Sequence, residues 1–165
     1  MALTVVQPGV GGTGTTGVPA FAAVLSNNTQ SISANTYTKA QLGVELFDTN
    51  NFFDTSNYRF QPTIAGYYQI NAGIQISWNS ASPSGFIGMI YKNGSYYYTA
   101  MTRNDSGNPM YGTSTLTALI YMNGSTDYLE LYGYAVNGTT LVINGSYSGF
   151  TNLNTWMSGY LVRPT

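Results

Sequence analysis

From Tyr67 to Trp78 the chain alternates between apolar side chains and polar or small ones. Successive side chains of a β-strand point to opposite faces, so this period of two predicts one long strand. A strand with one apolar and one polar face is typical of an antiparallel sheet that covers a core on one side. Pro62 and Gly66 predict the turn before it. The predicted core side holds Tyr68, Ile70, Ala72, Ile74, Ile76 and Trp78.

Other β-prone segments follow one another from Phe21 onward, with turn signals roughly every ten residues. Asn93-Gly94 is the strongest hairpin signal among them. No amphipathic run rich in Ala, Leu, Glu and Lys predicts a helix. The pattern therefore predicts an all-β domain, a sandwich or jelly roll of roughly eight to ten short strands. Residues 1–17, rich in Gly and Thr, predict a flexible linker before this domain at 18–165, either a disordered tail or a connector to a preceding module.

Composition narrows the chemistry that the domain can perform. Charged residues make up 7% of the chain and the net charge is −1, so no basic surface for nucleic acid or an anionic membrane is expected. Cysteine and histidine are absent, which excludes thiol catalysis and removes the commonest general base. No stretch is long and apolar enough to insert into a membrane. Asp48 and Asp54 suggest a glycosidase pair, but side-chain bonds to nearby backbone explain both better, and we expect no enzymatic activity.

Five segments, in order, resemble the globular heads of the complement C1q and tumour-necrosis-factor superfamily, over residues 18–163. They are Phe21–Leu25, Phe60-Gln61-Pro62 through Gly66 to Ile70, Lys92-Asn93-Gly94, Asp127–Leu131 and Met157–Leu161. The resemblance implies a ten-strand jelly roll that assembles as a homotrimer and has no enzymatic activity. Residues 1–17 contain no collagen Gly-x-y run. Their Gly-Gly-Thr-Gly segment is instead similar to the linkers of bacteriophage tail fibres, so the resemblance implies a location on a virion or outside the cell.

A trimer is also favoured by apolar residues on both faces of some predicted strands, such as Thr113–Met122. A two-sheet sandwich buries only its inner faces, so an apolar outer face calls for a partner. The alternative is that the fifteen tyrosines simply cover a surface of low charge. The candidate trimer-interface residues are Phe21, Leu119, Tyr121 and Tyr160.

Long loops on a rigid scaffold are the usual place for recognition. If both termini lie at one end, we expect loops near 27–40, 62–66, 95–112 and 137–155 at the other, apical end. Their aromatic and amide side chains suit a host cell-surface glycan or protein, bound by three copies at once. The alternative for Tyr96–Tyr98 is packing across strands. The candidate ligand-binding residues are Tyr96, Tyr97, Tyr98, Arg103, Asn104, Asp105, Tyr111, Asn144, Tyr147, Phe150 and Trp156.

No cofactor is predicted from these residues. Asp105 and Asp127 suggest a calcium ion at the trimer apex, as in some relatives of the resembled family, but no calcium-ligand loop is recognisable. The favoured hypothesis is a trimeric receptor-binding head of a viral fibre. The alternatives are a trimerisation or virion-decoration module that binds no receptor, and a secreted C1q-like ligand.

Overall fold

The computed structural model describes residues 17–25, 29–79, 81–103, 111–145 and 153–165, and these contain strands and turns but no helix. The all-β prediction is confirmed. Thirteen strands form within the described residues. They are β1 (Ala20–Val24), β2 (Thr29–Ile32), β3 (Thr38–Lys39), β4 (Val44–Asp48), β5 (Phe53–Asp54), β6 (Arg59–Phe60), β7 (Gly66–Trp78), β8 (Gly85–Lys92), β9 (Ser95–Arg103), β10 (Tyr111–Met122), β11 (Leu129–Val136), β12 (Leu141–Asn144) and β13 (Trp156–Pro164).

The strands form two antiparallel sheets. Sheet A runs β4-β1-β13-β7-β10, and sheet B runs β5-β6-β11-β8-β9. These ten strands form the predicted jelly roll. Three short strands extend it: β12 pairs with the last residues of β7, β2 pairs with β12, and β3 pairs with β11. The apolar run at 141–143, expected inside a loop, is therefore a strand that lengthens sheet A.

The core lies between the sheets and is built by the alternation seen in the sequence. All six predicted core positions of β7 are buried, and β10 buries Leu116, Ala118, Ile120 and Met122 in the same alternating way. Gly133 of β11 and Gly88 of β8 have no side chain, so Ile74 of sheet A packs closely against both strands of sheet B. The period of two thus fixes the inner face of each sheet.

Phe21 was expected at the trimer interface, and this prediction is wrong. Its side chain is 1% exposed within a single protomer and stacks on Phe60 with ring centroids 4.2 Å apart. A second ring, Phe53, lies 5.5 Å away. The side chain takes the inward position of β1, so it joins the two sheets of one protomer and has no surface left for a partner.

The strand register shows which loops share an end. Gly66 pairs with both Met122 and Pro164, so the turn at 61–65, the loop at 123–128 and the C-terminal residues lie together. The Asn93-Gly94 turn joins them, since the Asn93 amide donates to the Tyr128 carbonyl at 3.1 Å. The expected apical position of 62–66 is therefore wrong. The opposite, apical end holds the last residue of β7, the end of β9 and the start of β10.

Candidate functional site

The structure gathers only part of the predicted ligand-binding set at the apical end. Arg103 ends β9 there and Tyr111 begins β10. Asn144 is also near that end but only 6% exposed; its amide accepts from the Ser77 hydroxyl and donates to the Gln75 side chain, each at 3.2 Å. Its bonds hold neighbouring strands together. The candidates Asn104, Asp105, Tyr147 and Phe150 lie outside the described residues.

Trp156, another candidate, sits on the outer face of sheet A and is half-buried. It pairs with Gly73, and a β-carbon on that glycine would lie 2.7 Å from the indole nitrogen of Trp156. The indole also lines a groove of about 240 Å³ whose other walls include Leu46, Leu153 and Met157. Trp156 therefore belongs to the outer face of sheet A.

The triplet Tyr96, Tyr97 and Tyr98 was expected in an apical loop, and this placement is wrong. These residues begin β9 directly after the Asn93-Gly94 turn, at the end that carries the termini. A bulge between Ile90 and Tyr91 changes the register here. Tyr97 and Tyr98 contact each other edge to face at 5.1 Å. Tyr96 pairs with Tyr91 and is the most exposed of the three, at 71%.

Tyr96 belongs to a larger aromatic surface on the outer face of sheet B. Alternation along β11 turns Leu129 and Leu131 inward and leaves Tyr132 and Tyr134 on the outer side. Neighbouring strands and loops add tyrosines beside them. We call this set the tyrosine surface; it consists of Tyr37, Tyr91, Tyr96, Tyr128, Tyr132 and Tyr134.

Ring contacts join four members of the tyrosine surface in two pairs. Tyr91 stacks on Tyr132 with centroids 4.0 Å apart, and Tyr37 leans on Tyr134 at 4.7 Å. Burial raises the pKa of Tyr91, and the neighbouring phenols Tyr37 and Tyr96 raise it further. Burial also raises the pKa of Tyr132, helped by the carboxylate of Glu130, with which its hydroxyl is hydrogen-bonded. These hydroxyls therefore stay protonated at neutral pH.

Two cations lie beside the tyrosine surface, one in an ion pair and one over a ring. The Lys39 ammonium lies 3.0 Å from the Glu130 carboxylate. The Arg59 guanidinium lies 4.8 Å from the centre of the Tyr128 ring, a cation–π contact. The result is an aromatic surface with many hydroxyl groups and little net charge. The alternation of side chains in the sequence puts Tyr128, Tyr132 and Tyr134 on one side of this segment, but no local signal places Tyr37 and Tyr91 beside them.

Sheet A carries a different exposed surface. Leu119 and Tyr160 both pair with Gln69, and Tyr121 pairs with Tyr67, so the four apolar side chains form two adjacent rows on the outer side. The Tyr67 and Tyr121 rings lie 5.4 Å apart. All four are strongly exposed in the single protomer. We call them the Leu119 face; three of the predicted interface residues, Leu119, Tyr121 and Tyr160, lie on it.

The aspartates serve local structure. Asp48 accepts hydrogen bonds from the backbone of Asn50 and Phe53. Side-chain bonds from Ser56 and Asn57, with help from the Asn57 backbone, hold the pKa of Asp54 far below its ordinary value. The described residues contain no group of three acidic, histidine or cysteine side chains suited to a metal ion.

Asp127, the described partner in the suggested calcium site, lies at the end that carries the termini. Its carboxylate is 2.9 Å from the Lys92 ammonium and accepts from Asn93 and from the backbone of Asn123. Lys92 also donates to the Tyr121 carbonyl. The charge of Asp127 is therefore already balanced by Lys92, which also contacts the backbone of Tyr121 in the Leu119 face.

No family model and no curated protein matches the chain, but solved structures do. The globular domain of zebrafish complement 1qA aligns with TM-score 0.63 at 12% identity, over 90% of this chain and 100% of that one. Eiger TNF from S. frugiperda gives 0.64 at 7%, over 90% and 94%. The PRD1 vertex protein P5 gives 0.58 at 16%, over 89% and 99%.

The chain therefore has the C1q/TNF-like jelly-roll fold, and the resemblance seen in the sequence is confirmed. Among the described residues, no helix is long and apolar enough to cross a membrane.

Proposed function

We propose that this protein is a non-enzymatic, homotrimeric head that ends a viral fibre and attaches it to a glycan or protein on a host cell surface. The observation that carries the proposal is the division of exposed apolar groups between two faces. The outer side of sheet A exposes Leu, Val, Phe and Tyr, whereas the strongly exposed large apolar side chains of sheet B are tyrosines and one methionine. One face has the composition of an interface between copies, and the other has that of a recognition surface.

The Leu119 face supports self-association. Stable interfaces between identical chains are more apolar than ordinary surface, with few charges at their centre. Leu119, Tyr121, Tyr160 and Tyr67 meet this description, and the polar side chains next to them, such as Gln69 and Thr117, bond to each other at 2.9 Å. Similarity to a C1q globular domain and to a TNF ligand supports three copies around one axis.

The tyrosine surface supports attachment. With sheet A turned toward the axis, sheet B faces outward, and three copies of the tyrosine surface point away from the assembly. Weak single contacts then combine, because binding of one copy raises the effective concentration of the next. Similarity to a vertex protein supports a location on a virion, ahead of a secreted ligand.

The absence of enzymatic activity is part of the proposal. Asp48 and Asp54 are engaged by nearby backbone and side-chain donors, so neither is held as a free acid or base. Catalysis by a carboxylate pair needs two carboxyl groups across a cleft with contrasting proton affinities. When purified head is incubated with host polysaccharide, we expect no release of reducing ends.

Two measurements test the proposal. Light scattering should give three times the 17.8 kDa mass of one chain, and a well-behaved single-copy species at low micromolar concentration would overturn it. Purified head should then compete with the virus for susceptible cells and reduce its adsorption. A trimer that leaves adsorption unchanged would favour the second candidate, a virion decoration module, which the vertex-protein similarity also supports.

A further inference from the structure

The two aromatic faces differ in their polar content. The most exposed side chains of the tyrosine surface, Tyr37 at 58% and Tyr96 at 71%, each present a ring with a hydroxyl at its edge. Sheet A also exposes tyrosines, but it adds Phe47, Leu119 and Val162, which have no polar atom in the side chain. A ring with a hydroxyl edge keeps water-compatible contacts around an apolar plate. The tyrosine surface is therefore suited to a ligand that is itself both apolar and hydroxylated.

The tyrosine surface is also held in place before any ligand arrives. Tyr91, Tyr132 and Tyr134 project from paired strands, and two ring contacts fix the orientation of four of the tyrosines. Aromatic side chains have only two rotatable bonds, so little conformational entropy is lost on binding. Preorganisation of this kind raises the affinity for a ligand whose repeating units each make only a few contacts.

The Lys39–Glu130 ion pair beside the tyrosine surface carries no net charge. Glu130 is neutralised by Lys39, and the Arg59 guanidinium is already placed over an aromatic ring. Lys39 is therefore already engaged and is not free to hold a sialic acid, a sulfate or a lipid phosphate. Arg59 keeps its charge, and its Nε has no hydrogen-bond partner, so the acidic oligosaccharides in the test below check whether this guanidinium recruits an acid. The raised pKa values of Tyr91 and Tyr132 keep these two hydroxyls protonated, so they add no charge to the surface. Each phenol hydroxyl can both donate and accept a hydrogen bond.

We propose that the tyrosine surface binds uncharged sugar rings of a host glycan, with the apolar faces of two separate hexose or N-acetylhexosamine units stacked on Tyr37 and on Tyr96, which the strand order keeps apart. This rests on the proposed attachment function and moves the contact from the apical loops to the side of the head. Each ring stacks on the C–H face of a sugar, and the surrounding hydroxyls bond to the sugar hydroxyls. Three copies of the surface supply the avidity.

The test uses the full chain and immobilised neutral oligosaccharides built from glucose, galactose and their N-acetylated forms, with sialylated and sulfated versions alongside. We expect binding to neutral oligosaccharides and no gain from the acidic groups. Tyr37→Ala and Tyr96→Ala should each weaken binding roughly 10-fold, which is the size expected from loss of one aromatic stacking contact. Tyr37→Phe and Tyr96→Phe keep the ring and should retain most of the binding.

Tyr111→Ala tests the other location, since Tyr111 is an exposed tyrosine at the apical end. Loss of binding in Tyr111→Ala, with both Tyr37→Ala and Tyr96→Ala unchanged, would overturn the proposal. So would binding only to acidic oligosaccharides, no binding to any of them, or Phe variants as weak as the Ala variants. Light scattering and thermal unfolding of each variant exclude loss of the trimer as the cause.

Competition experiments on treated cells separate this inference from the proposed function. Periodate oxidises the vicinal diols of glycans, and protease removes surface proteins. If periodate abolishes competition by the head and protease does not, a glycan ligand is supported. Competition that survives periodate but not protease leaves attachment intact and overturns the sugar ligand. Absence of competition on untreated cells overturns the attachment function itself.

Discussion

Leu119→Glu should dissociate the proposed trimer while each protomer keeps its fold. Leu119 stands on the outer side of β10, in the row that it shares with Gln69 and Tyr160. It contributes nothing to the core between the sheets, since its neighbours Ala118 and Ile120 point the other way and are buried. The substitution therefore acts on assembly and leaves the interior packing untouched.

The size of the effect follows from exposure. Full burial of a leucine side chain is worth about 1.5–3 kcal/mol. Leu119 is 51% exposed in a single protomer. Burying this exposed half in the interface contributes about 1 kcal/mol per copy, or about 3 kcal/mol for three copies. That loss alone lowers the assembly constant more than about 100-fold, and a buried carboxylate adds its own desolvation cost.

Light scattering across a dilution series measures the change, with circular dichroism to confirm that the strands remain. Met101→Glu is the matched control, because Met101 is 60% exposed on the outer side of sheet B and receives the same charge. Leu119→Ala, a milder change, should give partial dissociation. It keeps the interface testable if the separated protomer of Leu119→Glu does not stay folded. A trimer as tight in Leu119→Glu as in the unsubstituted chain would refute the assigned interface, as would equal dissociation in Met101→Glu.

Three further predictions concern stability. Phe21→Ala should lower the free energy of unfolding by about 3–5 kcal/mol and the melting temperature by roughly 6–20 °C in calorimetry, because it empties a core position. An unchanged Tm would contradict the buried position of Phe21. Asp127 is partly buried, which raises its pKa, but bonds from Asn93, Lys92 and Asn123 outweigh this and lower it overall. Its stabilisation is therefore present at neutral pH and lost as pH falls below about 4. Asp127→Asn should lose about 3 kcal/mol at pH 7 in urea unfolding and show a flatter acid profile, whereas an unchanged acid slope would contradict the linkage. Gly124→Ala should destabilise more than Gly94→Ala in the same assay, because both have positive φ but only a β-carbon on Gly124 collides with the backbone of the loop between β6 and β7; equal losses would contradict this.

The candidate site was harder to predict than the fold. Tyr96 was among the predicted ligand-binding residues, but its expected position in an apical loop was wrong, since the Asn93-Gly94 turn returns the chain as β9 at the end that carries the termini. Tyr37 and Tyr91 were not predicted to be part of a site at all. Each comes from a separate segment, and only strand pairing brings it next to Tyr132 and Tyr134. Similarly, the two faces of β1 look alike in sequence, so nothing local showed that Phe21 points inward.

The sequence by itself determined the all-β class, the inward positions of the long strands and the lack of thiol and imidazole chemistry. These follow from a period of two and from composition, which are local properties of each segment. The tertiary structure alone decided which loops share an end, that Phe21 is interior, and that six tyrosines form one surface. Strand order and register are set by contacts between residues far apart in the chain, and no local pattern specifies them.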